Sequence, residues 1–276
     1  MAIHPTAIIE PGARIHASAE IGPFCIVGPK ASIGPGSKLL HSVTISGRTT
    51  IGARNTIHPY AVIGGDPQDL KFRGEDSVTR IGDENVIREG VTINKGTIGG
   101  GSETILGNRN YIMASAHVAH DTIVEDNCIL ANCTLLAGHI RMESFAILSG
   151  WVAVHHYVTI GQHAFIGGCS RINQDCPPYM ITQGFEGEVK GVNSFGLRRR
   201  GFKPEAINAL RDAHRVIWRS GLPKPEAIGE LAKSNGHYAE IKTLIEFLQA
   251  SDQGRMGRAR EPRKETPPDP EADLLE

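Results

Sequence analysis

The sequence is poor in aromatic residues. Phe, Trp and Tyr make up only 5% of the chain, so the interior must be built from aliphatic side chains in thin layers rather than from stacked rings. No apolar run reaches about 18 residues, which excludes a transmembrane helix. The opening residues, Met1-Ala2-Ile3-His4-Pro5, carry no cationic stretch followed by an apolar one, so no secretory signal is expected. Neither sign of charge is in excess: 29 Lys and Arg stand against 30 Asp and Glu. A generic nucleic-acid partner is therefore not expected, because neutralising many phosphates needs a basic surplus. The five cysteines, Cys25, Cys128, Cys133, Cys169 and Cys176, have no C-x-x-C spacing. They read as small buried thiols kept reduced in a cytoplasm.

What the chain does contain is a repeat. Ile3, Ile9, Ile15, Ile21, Val27, Ile33, Leu39, Ile45, Ile51, Ile57 and Ile63 recur every six residues. The phase resumes at Ile81, Ile87 and Ile93, slips by one residue, and runs on from Leu106 through Ile112, Val118, Val124, Leu130, Leu136, Met142, Leu148, Val154, Ile160 and Ile166 to Ile172. A Gly often follows the aliphatic residue, as at Gly22, Gly34 and Gly52, and a small residue often stands four past it, as at Ala7, Cys25 and Ala61. A period of six fits neither a helix nor simple alternation. It fits a coil of very short strands joined by tight corners, with Gly and Asn55, Asn85 and Asn110 expected to supply the positive φ of the corners. Three hexapeptides make one coil, and coils about 4.8 Å apart give a prism roughly 45 Å long.

Two segments break the repeat. Residues 66–80 lose aliphatic spacing and gather charge, which marks a loop suited to function. Residues 96–104 are glycine-rich but lack the Gly-Lys-Ser/Thr of a phosphate loop, and they read as plain loop. From Lys203 the periodicity becomes helical. Pro204 suits a helix start and Gly221 a stop, and Pro225–Lys233 and Tyr238–Gln249 read as further helices. Residues 251–276, rich in Pro, Arg and Glu without apolar periodicity, are expected to be a disordered tail.

His117, His120, His139, His155, His156 and His163 crowd into one stretch. Residues one coil apart should stack, which places His120, Gly138 and His156 in one column and Asp121, His139 and Tyr157 in the next. An imidazole beside a carboxylate can act as a general base, the carboxylate fixing its tautomer. The glycine lets a substrate approach closely and offers an N–H to an oxyanion. The same imidazoles could instead hold zinc.

The repeat over residues 1–180 resembles the left-handed parallel β-helix of the hexapeptide acyltransferases. The resemblance narrows with Ala116-His117-Val118-Ala119-His120-Asp121, Gln68-Asp69-Leu70-Lys71, Leu136-Ala137-Gly138-His139, Ala153-Val154-His155, Gly167-Gly168-Cys169-Ser170, Gly191-Val192-Asn193 and Arg199-Arg200-Gly201-Phe202. These segments are similar to those of the bacterial UDP-N-acetylglucosamine O-acyltransferases of lipid A synthesis. The implied fold is a left-handed β-helix over 1–190 with a loop insertion at 66–80, a small helical domain over 191–250, and the tail. The implied reaction moves an (R)-3-hydroxyacyl group from acyl carrier protein to the 3-hydroxyl of UDP-N-acetylglucosamine in a cytoplasmic homotrimer without a cofactor or metal. The 3-amino analogue of the acceptor remains an alternative, as does zinc-dependent hydration on the same fold. By resemblance His120 is the base, Asp121 orients it and Gly138 stabilises the oxyanion. Asp69, Lys71, His117 and His139 contact the sugar end, Gln68, His155 and His156 also bind substrate, with His155 at a position important for activity, Asn193, Arg199 and Arg200 hold the nucleotide, and Gly168 bears on acyl length. His156 stands where many relatives have Gln, and Phe195 where an acidic residue often meets the nucleotide.

Overall fold

In the computed structural model, which describes residues 2–261, the six-residue period becomes a three-sided prism. Most strands are two residues long, and each pairs in parallel with the third strand on either side of it in sequence. Ile3 thus stands beside Ile21, 18 residues later, and Thr56 beside Lys38. The strands form three sheets of eleven, nine and eight members, begun by Ala2–Ile3, Ile8–Ile9 and Arg14–Ile15. We call these the first, second and third sheets. The repeated aliphatics point inward, and from Ile21 to Ile172 every one is buried. Each contributes about 1.5–3 kcal/mol by leaving water. Ile3, Ile9 and Ile15 sit at the open end and are only partly covered. The loop insertion leaves the stack intact, because Val62 pairs directly with Thr92 across it.

The corners are made differently from the sequence expectation. At most corners positive φ falls three residues past the aliphatic position, on residues as different as Phe24, Tyr60, Asp121, His139, Trp151 and Tyr157. Such conformations cost about 1–2 kcal/mol per L-residue, and stacking between coils helps to offset this. The glycine after the aliphatic serves close packing instead: a Cβ on Gly22 would fall 1.9 Å from the Leu40 carbonyl oxygen. Asn55, Asn85 and Asn110 point inward and form a buried ladder. Asn55 Oδ1 accepts from the Asn85 N–H at 2.9 Å, Asn85 Oδ1 from the Asn110 N–H at 2.8 Å, and Asn110 Oδ1 from the Cys128 N–H at 2.7 Å. The reading of all five cysteines as buried also needs correction, since Cys169 is exposed and Cys133 half-buried.

Beyond the last coil, an antiparallel hairpin of Met180–Gln183 and Glu188–Val192 extends the first sheet. Helices α1 (Ser194–Arg199), α2 (Pro204–Arg219), α3 (Lys224–Asn235) and α4 (Ala239–Asp252) follow. Their apolar faces make a second core from Leu197, Ile207, Leu210, Leu231, Ile241 and Leu244, closed against the prism by Tyr179 and Met180. Helical spacing anticipated α2 to α4; the hairpin and the short α1 left no periodic signal. The expectation of disorder from residue 251 differs from the structure over 251–261. There α4 runs on to Asp252 and a 3-10 turn forms at Gly257–Arg260. Residues 262–276 lie outside the described residues.

Candidate active site

The edge between the second and third sheets carries the histidines. Strand His117–Val118 ends on the second sheet and Ile123–Val124 begins on the third. The corner between them presents His120 and Asp121. Both are buried, and His120 Nδ1 lies 2.8 Å from Asp121 Oδ2. The stacking arithmetic holds here. His139 N–H donates to the His120 carbonyl and Tyr157 N–H to the Gly138 carbonyl, both at 3.1 Å. The His139 ring stacks on Tyr157 at 4.3 Å and meets His120 edge-on at 5.1 Å.

Asp121 is held from below by the segment read as plain loop. The Thr97 N–H donates to Asp121 Oδ1 at 2.8 Å and the Thr97 hydroxyl to Oδ2 at 2.5 Å. The Asp121 N–H donates in turn to Thr104 Oγ1 at 2.8 Å. Burial pushes the Asp121 carboxyl up, but the hydrogen bonds from His120 and Thr97 outweigh it and hold it below the usual range. An ionised carboxylate only accepts. It therefore takes the Nδ1 proton of His120 and leaves Nε2 as the free acceptor of the ring.

Gly138 stands over that ring. A Cβ there would lie 2.6 Å from His120 Cε1 and 2.8 Å from Nε2, closer than atoms pack. The Gly138 N–H makes no backbone hydrogen bond among the described residues. Beside the dyad is a cleft of about 210 Å³ lined by Asp69, Lys71, Phe72, Thr97, His139 and Tyr157 among others. Asp69 is shaped by its own turn, accepting the Lys71 N–H at 2.9 Å. His117 faces outward from the second sheet with Nδ1 2.7 Å from Thr92 Oγ1. Burial and the nearby His120 lower its pKa, and burial also lowers that of His139 despite Asp121. His155 and His156 meet edge-on at 5.1 Å further along the same edge. Gln68 is exposed and does not line the cleft.

The remaining expected residues lie on other edges. Asn193 caps α1, accepting the Gly196 N–H at 3.1 Å, while its Nδ2 donates to the His163 carbonyl at 3.0 Å. His163 belongs to the edge between the third and first sheets. It stacks there between Phe145 at 4.8 Å and Tyr179 at 5.8 Å, and Arg200 lies 4.4 Å above the Phe145 ring. Arg199 lies over Phe195 at 5.6 Å. Gly168 is exposed at the edge between the first and second sheets, and a Cβ added there would meet nothing closer than Gly150 O at 3.4 Å. One chain thus places the His120 cluster, the Arg199–Arg200 pair and Gly168 on three different edges.

His120, Asp121 and His139 are the one set among the described residues whose ligand atoms, all within 4.8 Å, could surround a metal ion. The donor set fits a metal poorly, because Asp121 already accepts three hydrogen bonds.

Comparison with known proteins points the same way. The family model described as UDP N-acetylglucosamine O-acyltransferase, domain 2, matches residues 175–256, and the bacterial transferase hexapeptide model matches residues 103–138. A structure of LpxA from Acinetobacter baumannii is 38% identical, with a TM-score of 0.87 over 91% of this chain and 98% of that one. LpxA from Bacteroides fragilis, titled a UDP-N-acetylglucosamine acyltransferase, is 41% identical, with a TM-score of 0.88 over 91% and 98%. The Arabidopsis UDP-N-acetylglucosamine acyltransferase is 33% identical, with a TM-score of 0.78 over 90% and 96%. The fold is the left-handed parallel β-helix that the repeat resembled. With this identity along nearly the whole length of those relatives, the chain belongs to the UDP-N-acetylglucosamine O-acyltransferase family.

Proposed function

We propose that the protein transfers an (R)-3-hydroxyacyl group from acyl carrier protein to the 3-hydroxyl of UDP-N-acetylglucosamine, the first step of lipid A synthesis. The observation that carries the mechanism is the pinned dyad under a bare glycine: His120 Nδ1 is 2.8 Å from Asp121 Oδ2, and Gly138 covers the ring without a side chain. His120 Nε2 takes the proton of the acceptor hydroxyl as its oxygen attacks the thioester carbonyl. The carbonyl oxygen gains negative charge, and the Gly138 N–H donates to it. The C–S bond then breaks, and the imidazolium returns its proton to the leaving thiolate. A thioester is already activated, so positioning, one base and one oxyanion donor suffice. Asp69, Lys71 and His139, which line the cleft, are proposed as contacts to the sugar, together with His117 and, further along the edge, His155 and His156.

We propose further that the enzyme works as a homotrimer. Asn193, Arg199 and Arg200 lie on a different edge from His120, so a nucleotide spanning both needs a second copy. The outward residues of the first eight strands of the second sheet, Ile8, Ile26, Thr44, Val62, Thr92, His117, Leu135 and Ala153, carry no formal charge with neutral imidazole; only the last strand, with Arg171, presents one. Ile8 and Leu135 are more than half exposed in the single chain. Such a face is suited to burial against another copy. Arg198, Arg199, Arg200 and Lys203 offer positive charge to an acidic carrier protein. The free thiols support a cytoplasmic location. No helix among the described residues is long and apolar enough to cross a membrane.

The test is transfer from a panel of 3-hydroxyacyl carrier proteins to UDP-N-acetylglucosamine and to its 3-amino analogue. Product from the hydroxyl acceptor supports the reading. Product from the amine alone makes the enzyme an N-acyltransferase, and product from neither refutes acyl transfer.

A further inference from the structure

The His120 edge continues past Tyr157. One coil on, its column reaches Asp175, so it reads Asp121, His139, Tyr157, Asp175. The chain leaving α4 returns to this point. The Ser251 hydroxyl donates to Asp175 Oδ2 at 2.7 Å, while Oδ1 accepts the Thr159 N–H at 2.9 Å. Gly257 then rests on the same carboxylate. Its φ is +66°, and a Cβ would fall 1.8 Å from Asp175 Oδ2, so only glycine allows the approach. Arg258 pairs with Glu261 at 2.6 Å and points Nη1 at the Asn173 carbonyl, while its Nε is buried without a partner. The 3-10 turn Gly257–Arg260 carries Arg260 back along the edge, placing its guanidinium 5.9 Å from the centre of the Tyr157 ring. Arg260 is exposed, and among the described residues no carboxylate pairs with it.

The charge of the cleft gives this placement its meaning. Asp69 and Glu75 line the cleft with a single cation, Lys71, and Asp121 adds a buried negative charge beside it. Burial keeps His117 and His139 toward their neutral forms. A phosphate entering the cleft therefore lacks cations from the prism itself. Both substrates of the proposed reaction carry phosphate: a diphosphate on the sugar nucleotide and a phosphodiester at the base of the carrier's phosphopantetheine arm. With the acceptor hydroxyl at His120, Tyr157 lies two coils away, about 10 Å, a span that a phosphate linked to the reacting group can cover. A guanidinium offers a phosphate two parallel donors.

We propose that residues 251–261 form a strap anchored on Asp175, and that Arg260 on this strap binds a phosphate of the substrate. The inference rests on the acyl-transfer reading above. The anchor and the ligand contact are separate: Ser251 and Gly257 fix the strap, and Arg260 reaches the substrate.

The test uses the full chain with Arg260→Gln, Arg260→Lys and Gly257→Val. Binding of UDP and of UDP-N-acetylglucosamine is measured by calorimetry. KM and kcat are measured for both substrates, with acyl-phosphopantetheine and acyl-pantetheine as alternative donors. Arg260→Gln is expected to raise one KM about tenfold, as for loss of a charge-assisted hydrogen bond, with kcat within about twofold and partial rescue by Arg260→Lys. Gly257→Val should raise the same KM by lifting the strap while keeping the cation. A rise confined to the nucleotide, seen also as weaker UDP binding, assigns the diphosphate. A rise for carrier protein and acyl-phosphopantetheine but not for acyl-pantetheine assigns the phosphodiester. Wild-type constants in Arg260→Gln for both substrates overturn the strap inference alone. A wild-type enzyme that neither binds UDP nor transfers an acyl group overturns the reading of the site, and the strap inference with it.

Discussion

Replacing Gly138 with Ala is the sharpest perturbation of the dyad, because it adds one methyl group and removes no polar atom. That methyl would sit 2.6 Å from His120 Cε1, 2.8 Å from Nε2 and 3.1 Å from Nδ1. Ordinary contact begins near 3.5 Å, so the ring must retreat by about 1 Å. The imidazole is the part that yields, since Gly138 has no positive φ and its carbonyl is fixed by the Tyr157 N–H at 3.1 Å. The N–H remains available to an oxyanion. A base displaced by about 1 Å loses roughly 10²-fold in rate, about 2.7 kcal/mol of transition-state stabilisation. The fold should tolerate the change, so kcat falls about a hundredfold while melting temperature and UDP-N-acetylglucosamine affinity stay near wild type. A double-mutant cycle with His120→Ala isolates the cause. If the methyl acts by moving His120, Gly138→Ala has little further effect once His120 is gone. Full activity in Gly138→Ala, or additive losses in the double variant, would refute this reasoning.

Thr97→Val removes the hydroxyl that donates to Asp121 at 2.5 Å. Asp121 loses a donor to its charged form, so its pKa rises; the acid limb of the pH–kcat profile should move up, kcat should fall about tenfold, and Thr97→Ser should restore both. His163 is held down to about 4 from an ordinary 6.5, by burial first and then by Arg200. A histidine kept neutral when folded protonates more readily when unfolded, so its contribution to stability is full above pH 6.5 and is lost as pH falls toward 4. The loss totals about 2 kcal/mol after allowance for screening, and thermal melts from pH 7.5 to 4.5 should be flatter in His163→Gln than in wild type. Asn85→Ala cuts the inner ladder and orphans the Asn110 N–H, which donates to Asn85 Oδ1 at 2.8 Å. It should cost about 3 kcal/mol, read by urea denaturation at fixed protein concentration.

The prism was legible because its cause is local and repeated. Ile21 and Ile63 face the core for the same reason as Ile166, and a six-residue period leaves one simple geometry for them. The 18-residue coil by itself puts His139 on Asp121 and Gly138 on His120. The corners misled because positive φ there is imposed by the coil, so Phe24 and Trp151 adopt it without a residue signature, while Asn85 is free to serve the interior. Thr97 was missed because it meets Asp121 from 24 residues away, across the one-residue slip. The strap was missed for a similar reason: Ser251 and Asp175 are 76 residues apart, and a segment without apolar periodicity gives no hint of docking. The separation of His120, Arg200 and Gly168 onto three edges required the phase of each residue within its coil.

The most direct test of the central assignment is single-turnover acyl transfer by wild type and His120→Ala, with melting temperature and UDP-N-acetylglucosamine affinity measured on the same samples. With His120 as the general base, the variant keeps its fold and its affinity and loses about 10³-fold or more in the transfer step. Transfer within tenfold of wild type by a folded, substrate-binding His120→Ala would contradict that assignment.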